Sequence, residues 1–344
     1  GSGYCTTDYS DSTTVFTPSG GTGCIDPTNL TADYTNCFYG SYGNPYQNKG
    51  IVDQGYSSIA SRHTIHYDPN ETDPRTGGQL HTVPSDAEAS VRLGNWGTGG
   101  EAEAITYSLV VDTTNFDLLI LRYAAVLQDN DHPSTAQPRF KMELLDTNGA
   151  LLDTCSAADF IANQNLGWNL VPQSYVLWKD WTTVGVDLAP YHGNTVRLRL
   201  TVYDCSNGDH FGYAYFTLNC MNKALVTSHC GLVTQNSFTA PSGFQYSWYS
   251  NQDPTVFSTS PTIVVPTDNE LTYYCNLAFV DNPACYFTMS AFAGTRWPIA
   301  LFDSTITIHN CRFEVAFTNR STISQDGTNA IGTGEGVETA WWDF

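Results

Sequence analysis

Thr195-Val196-Arg197-Leu198-Arg199-Leu200-Thr201-Val202 is the stretch that decides the fold class. Val196, Leu198, Leu200 and Val202 recur at period two, so an extended chain puts all four on one face and Thr and Arg on the other. A helix would scatter them around its axis. His192-Gly193-Asn194 just upstream supplies a turn. Outward from this run, residues 104–111, 117–127, 140–145, 182–188 and 211–218 are further strand candidates, separated by Gly, Asn and Pro. Residues 157–164 alone suggest a short helix. Regularly spaced strands of this kind predict a β-sandwich.

A second unit begins near Cys230. Phe244-Gln245-Tyr246-Ser247-Trp248-Tyr249 alternates and places Trp248 in the core of an Ig-like sandwich. Residues 261–265, 271–279 and 285–292 add strands, with Asp253-Pro254 and Thr267-Asp268-Asn269 as turns. Beyond it, residues 305–308 and 312–317 are strand-like, 332–336 reads as a loop, and Ala340-Trp341-Trp342-Asp343-Phe344 as a last strand. Some 40 residues rarely fold alone, so the expectation is a fragment of something longer.

The 344 residues amount to two or three domains. Asp and Glu number 34 against 14 Lys and Arg, a formal charge of −20. A surface of that sign repels phosphate, so nucleic acid and anionic membranes are excluded as partners. With 14% charged and 13% aromatic residues the chain has the bulk for packed cores and is not an acidic disordered tail. It has no run of 18 apolar residues, so no membrane insertion by a helix is expected. Gly1-Ser2-Gly3-Tyr4-Cys5 is neither a signal nor a transit peptide and reads as a mature end.

Ten cysteines, none in a Cys-x-x-Cys pair, are dispersed through a Lys-poor chain. They predict disulfides and an oxidising, extracellular or cell-surface location. Spacing does not fix their pairing, but it suggests Cys24 with Cys37, Cys155 with Cys205, and Cys275 with Cys285.

Several motifs occur in a fixed order: Ser61-Arg62-His63-Thr64-Ile65, Ser90-Val91-Arg92-Leu93-Gly94-Asn95, Gly100-Glu101-Ala102-Glu103, Leu127-Gln128-Asp129 with Gln137-Pro138-Arg139-Phe140, Trp178-Lys179-Asp180-Trp181-Thr182-Thr183-Val184, and His210-Phe211-Gly212-Tyr213-Ala214-Tyr215. The set resembles a module of the large secreted surface proteins of Bacteroidetes, adhesin-like and gliding-motility-associated proteins exported by type IX secretion. The resemblance covers about residues 55–222. It implies that Ig-like and PKD-type repeats follow, and Phe317-Thr318-Asn319-Arg320-Ser321 with Trp342-Asp343-Phe344 resembles the opening of a PKD domain. The Gly-Asp-Gly that normally continues such a domain does not follow. The resulting expectation is all-β. It has an irregular, disulfide-pinned segment (1–54), a jelly-roll-like β-sandwich (55–222), an Ig-like β-sandwich (223–300) and a partial PKD-like segment (301–344).

Calcium is the expected metal, because extracellular jelly rolls staple loops with this hard cation, which takes six to eight oxygens. Glu101 and Glu103 share a strand face, Asp129-Asn130-Asp131 forms an oxygen-rich turn, and Asp204 with Asp209 offers another. The competing reading gives Glu101 and Glu103 arginine partners. His63, His66 and His81 are close in sequence, while His132 and His210 adjoin Asp131 and Asp209, a pattern open to metal or acid–base work. No His-Glu-x-x-His or Gly-x-Ser-x-Gly motif accompanies them, so no catalytic residue is expected.

Sugars place apolar faces on aromatic rings and hydroxyls on polar side chains. Trp96, Trp168, Trp178 and Asp180 are therefore the expected glycan-binding residues, with Tyr175 and Trp181 as further rings. Trp96 and Trp168, each flanked by Gly and Asn, are the ones expected to be exposed; Trp178 and Trp181 have core packing as the rival assignment. The reading is a non-enzymatic surface protein in adhesion or glycan recognition, with structural calcium, whose partners are glycans or other cell-surface molecules. The alternative is a fibre or layer subunit that self-assembles through β-strand edges. A secreted polysaccharide hydrolase has only the available carboxylates in its favour.

Overall fold

A computed structural model of the chain describes residues 13–15, 25–28, 37–41, 62–129, 132–155, 157–162, 168–226, 235–266, 271–293, 297–299, 302–309, 312–319 and 322–324. The described residues are almost entirely β. The N-terminal segment supplies β1 (Thr13–Val15) and β2 (Cys37–Ser41). The first sandwich continues with β3 (His63–His66), β4 (Ser90–Gly94), β5 (Glu101–Val110), β6 (Leu118–Gln128), β7 (Arg139–Leu145) and β8 (Ala157–Ile161). It is completed by β9 (Asn169–Val171), β10 (Val176–Asp187), β11 (Thr195–Tyr203) and β12 (Gly212–Met221). The second unit holds β13 (Ala224–Val226), β14 (Gln235–Thr239), β15 (Phe244–Ser250), β16 (Thr262–Pro266), β17 (Leu271–Phe279) and β18 (Tyr286–Ala293). Last come β19 (Trp297–Ile299), β20 (Phe302–His309), β21 (Arg312–Asn319) and β22 (Thr322–Ser324).

In the first sandwich a six-stranded sheet, β3-β4-β12-β6-β10-β9, faces a five-stranded one, β2-β5-β11-β7-β8. The chain crosses between the sheets repeatedly, in the manner of a jelly roll. The alternating stretch from Thr195 to Val202 lies in β11, and its Val196, Leu198, Leu200 and Val202 are buried in the inter-sheet core. In the second unit, β13-β18-β17-β15 packs on β1-β14-β16 around Trp248. This indole is fully buried and donates Nε1–H to the Ser260 carbonyl at 2.9 Å. The strands after residue 296 form two two-stranded ribbons, β19-β22 and β20-β21. Residues 332–344, and with them the expected last strand and Trp342-Asp343-Phe344, lie outside the described residues.

Three expectations need correction. Residues 157–161 are a strand, because β8 pairs with β7 and sets Phe160 against Phe140, ring centroids 6.1 Å apart and planes nearly parallel; cross-strand pairing outweighs local helix propensity. The segment read as irregular contributes strands to both units: β2 pairs with β5, and β1 runs parallel to β14. Cys155 bonds to Cys285, across 130 positions of sequence, while Cys205 and Cys275 are free and buried. Cys155 stands just before β8, where the turn after β17 docks, and a Cα–Cα distance of 5.4 Å suits the bond. Cys220 is disulfide-bonded as well. The Cys24–Cys37 pairing lies outside the described residues.

The disulfide is one part of a close junction between the two units. A Cβ built on Gly185 of β10 would overlap the Phe287 ring of β18, and one built on Gly243 would overlap the Thr183 side chain. Gly243 also has φ +93°, open to glycine and few others. The apolar core therefore runs without a break from one unit into the other.

Candidate functional site

The outer face of the six-stranded sheet settles the fate of two expected sugar platforms. Period two sends Tyr213 and Tyr215 of β12, Ala124 and Val126 of β6, and Val176 and Trp178 of β10 to this face. The connection between β3 and β4 folds over them and inserts Leu80. Asp73 anchors that cover. One carboxylate oxygen accepts from the backbone amides of Arg75 and Thr76, and the other accepts from the phenols of Tyr213 and Tyr215 at 2.8 and 2.7 Å. Burial and the Asp73 charge raise both phenol pKa values well above their ordinary range. Trp96 is 9% exposed, with the guanidiniums of Arg75 and Arg92 at 5.4 and 5.1 Å from its ring; Trp178 is 6% exposed. Neither ring is open to a sugar, which corrects the expectation for Trp96 and Trp178. Trp181 packs at the edge of the same cluster, bonded to the His81 carbonyl.

Trp168 is different. It is half-buried at the mouth of a cleft between β8, β10 and the turn that follows β17. The cleft encloses about 310 Å³, at the small end of the roughly 300–1,000 Å³ range of ligand sites. Trp168 and Phe160 give it aromatic walls, and Asp159, Lys179, Asp281 and Asn282 its polar groups. Phe160 is held by Tyr123, ring centroids 4.4 Å apart. Lys179 Nζ bonds Asp281 Oδ1 at 2.8 Å across the junction, and the buried Tyr123 hydroxyl donates to Asp281 Oδ2 at 3.4 Å. Asp159 pairs with Arg139 at 3.1 Å. Asp180 does not line the cleft; it is exposed on the bulge of β10 and accepts from the Trp181 amide, while its neighbours Lys179 and Thr182 do line it. Sequence reasoning missed Asp159, Lys179, Asp281 and Asn282. No local signal marks them, since the cleft exists only where two units meet.

Three of the acidic residues proposed for calcium, Glu101, Glu103 and Asp204, lie near one another. Arg62 forms ion pairs with both Glu101 and Glu103, the arginine-partner alternative. Burial pushes the Glu103 carboxyl up to about 7 despite Arg62, and burial together with the Glu103 charge pushes Asp204 up to about 8. Asp204 accepts from the backbone amides of Gly212 and Glu101. Asp129 is buried and accepts from the Gln137 amide, Asp209 is exposed, and Asp131 lies outside the described residues. Among the described residues, the group of three His, Cys, Asp or Glu ligand atoms brought within 4.8 Å of one another is His132, Cys205 and His210, not a carboxylate set.

No family model matches the chain, and no curated protein matches it. Among solved structures it is similar to TmCBM61, determined in complex with β-1,4-galactotriose, at 6% identity and TM-score 0.29, over 57% of this chain and 97% of that one. A β-1,2-glucanase from Parabacteroides distasonis is similar at 11% identity and TM-score 0.24, over 76% of this chain and 37% of the enzyme. The adhesin domain of Epf from Streptococcus pyogenes is similar at 9% identity and TM-score 0.20, over 79% of this chain and 95% of that domain. These neighbours include a carbohydrate-binding module and an adhesin domain, but TM-scores this low carry no argument about what this chain binds.

Proposed function

We propose that the chain is a non-enzymatic, extracellular glycan-recognition or adhesion module, and that the cleft beside Trp168 takes the sugar. The observation that carries the reading is the composition of the cleft: an accessible indole face next to carboxylates, an ammonium and an amide. Aromatic faces stack on the apolar side of a sugar ring, and the polar groups meet its hydroxyls. Both carboxylates in the cleft, Asp159 and Asp281, are held in ion pairs, which suits accepting hydroxyl hydrogen bonds better than delivering protons to a glycosidic oxygen. The disulfide supports a location outside the cell. Calcium belongs to this proposal only in competition with Arg62, which supplies positive charge to Glu101 and Glu103.

The test is a broad glycan array probed with the purified chain and with Trp168→Ala. Selective binding lost in the variant is the expected result. Binding that survives Trp168→Ala overturns the cleft as the site.

One observation favours the second reading, a subunit of a surface fibre. In the β20-β21 ribbon, Ile306 and Val315 are paired across the strands and exposed. A two-stranded ribbon with an apolar face, its outer edges unpaired among the described residues, is a template for strand addition by a neighbour. A blank array together with regular polymers in electron micrographs would select this reading.

A further inference from the structure

At the end of the first sandwich, on the connection between β11 and β12, Cys205 is fully buried and has no disulfide partner. Five residues on, the chain turns back and brings His210 Nδ1 to 3.3 Å from Cys205 Sγ. His132, on the connection between β6 and β7, places Nε2 3.2 Å from the same His210 Nδ1. All three ligand atoms lie within 4.8 Å of one another. We propose that Cys205, His132 and His210 form a binding site for a borderline-soft divalent transition metal, zinc first, that staples the two connections together.

Two of the three spacings match those of a zinc shell. Zinc–nitrogen and zinc–sulfur bonds of about 2.05 and 2.3 Å at tetrahedral angles separate two nitrogens by about 3.3 Å and a sulfur from a nitrogen by about 3.5 Å. Hydrogen bonding accounts less well for the same contacts. Two ring nitrogens facing each other need one proton between them, and His210 Nδ1 cannot share its single position with both His132 and the thiol. A cation takes the lone pairs of all three at once.

The surroundings fit a thiolate ligand. The backbone N–H groups of Asp209 and His210 both donate to Cys205 Sγ at 3.3 Å, which stabilises negative charge on sulfur. The tight loop is held by Cys205 N–H to the His210 carbonyl at 2.9 Å and by Gly208 N–H to the Cys205 carbonyl at 3.0 Å. If His132 binds through Nε2, its Nδ1 carries the proton and needs an acceptor. The Asn207 side chain lies 3.5 Å away and provides one with its amide oxygen turned inward. The donor set is soft and nitrogen-rich, so it selects zinc over calcium. Three protein ligands leave a fourth position, for water or for the carboxylate of Asp209, next to His210 in sequence. Binding releases one proton, from the Cys205 thiol, and oxidises nothing. A rival role as a nucleophilic Cys–His pair is opposed by burial, because a reactive thiol must meet its substrate.

The experiment uses the full chain, stripped with a chelator, dialysed and titrated with Zn²⁺ by calorimetry and with Co²⁺ by absorption. One equivalent of Zn²⁺ is expected, together with a thiolate-to-cobalt charge-transfer band in the near ultraviolet. Cys205→Ser and His210→Ala should each weaken binding at least about tenfold. Those residues are buried, so His132→Ala, at a half-exposed position, is the variant that keeps the test sound if they fail to fold. It should lose zinc affinity while keeping its circular dichroism spectrum. Zinc uptake equal in the wild type and His132→Ala would overturn the proposal. So would a cobalt spectrum with no thiolate band, or rapid alkylation of Cys205 in the native chain whether or not zinc is present.

Discussion

Trp96 and Trp168 begin from the same local texture, a single indole between Asn and Gly, and end in opposite places. Trp96 follows Asn95 and precedes Gly97; Trp168 follows Gly167 and precedes Asn169. Trp96 is buried against two guanidiniums under the β3–β4 connection, whereas Trp168 lines the cleft between units. The flanking residues fix only that the backbone can turn at each site. Exposure is decided by what arrives from elsewhere: a covering connection tied down by Asp73 in one case, and a second unit that leaves the indole only half-buried in the other.

The largest way to break this contrast is Asp73→Ala. It removes the acceptor of four hydrogen bonds, two of them from buried phenols, and leaves Tyr215 only its contact with Arg92. The expected loss is about 3–5 kcal/mol, read as a fall in the urea midpoint. Trp96→Ala belongs to the same range by cavity formation. In any Asp73→Ala protein that stays folded, Trp96 fluorescence should become accessible to a neutral quencher. Unchanged stability would mean that the cover is held by something other than Asp73.

Gly185→Ala acts on the other side of the comparison. Its methyl must displace the Phe287 ring, and overpacking of this kind costs about 1–3 kcal/mol. Because Gly185 lies at the junction that builds the cleft, glycan binding should fall along with the melting temperature. Full binding in a destabilised variant would separate the cleft from the junction.

A smaller effect comes from pH. His66 is buried on β3, edge-on to Tyr215 at 5.2 Å, with Nδ1 2.7 Å from Glu71 Oε2 of the cover. Burial lowers its pKa below the ordinary histidine value, assisted by Arg92 and opposed by Glu71 and Asp73. The folded pKa lies below the unfolded one. Stability from this group is therefore full above about pH 6.5 and is lost as pH falls through the folded value. Glu103 has the opposite sign, its raised pKa favouring the folded state at low pH. The measurement is therefore a difference: between pH 7 and pH 5 the wild type should lose more stability than His66→Gln. Parallel pH curves would sink the assignment.

The sequence made the strands of the first sandwich legible because alternation is local: residues 195–203 were readable from four aliphatic side chains and their spacing. Trp248 as the centre of the second core was readable for the same reason. What escaped was set by contacts far apart in sequence. Residues 157–161 became a strand by lying beside β7, and Cys155 found Cys285 through the docking of a turn in the second unit. The sequence raised His132 and His210 as metal candidates through their Asp neighbours, but Cys205, expected in a disulfide, is the residue that joins them.

Trp168→Ala sharpens the comparison with the smallest change in stability. The ring is half-buried and packs in part against Leu127, Ala162 and Leu177, so truncation should cost only about 1 kcal/mol. Its effect on binding should be far larger in proportion, at least about tenfold in affinity for whichever glycan the array identifies. The two readouts separate the roles of the two indoles. A core tryptophan loses stability first and function as a consequence, while a recognition tryptophan loses function with the fold intact. A Trp168→Ala protein as destabilised as Trp96→Ala would place both indoles in the core and remove the sugar platform from the cleft.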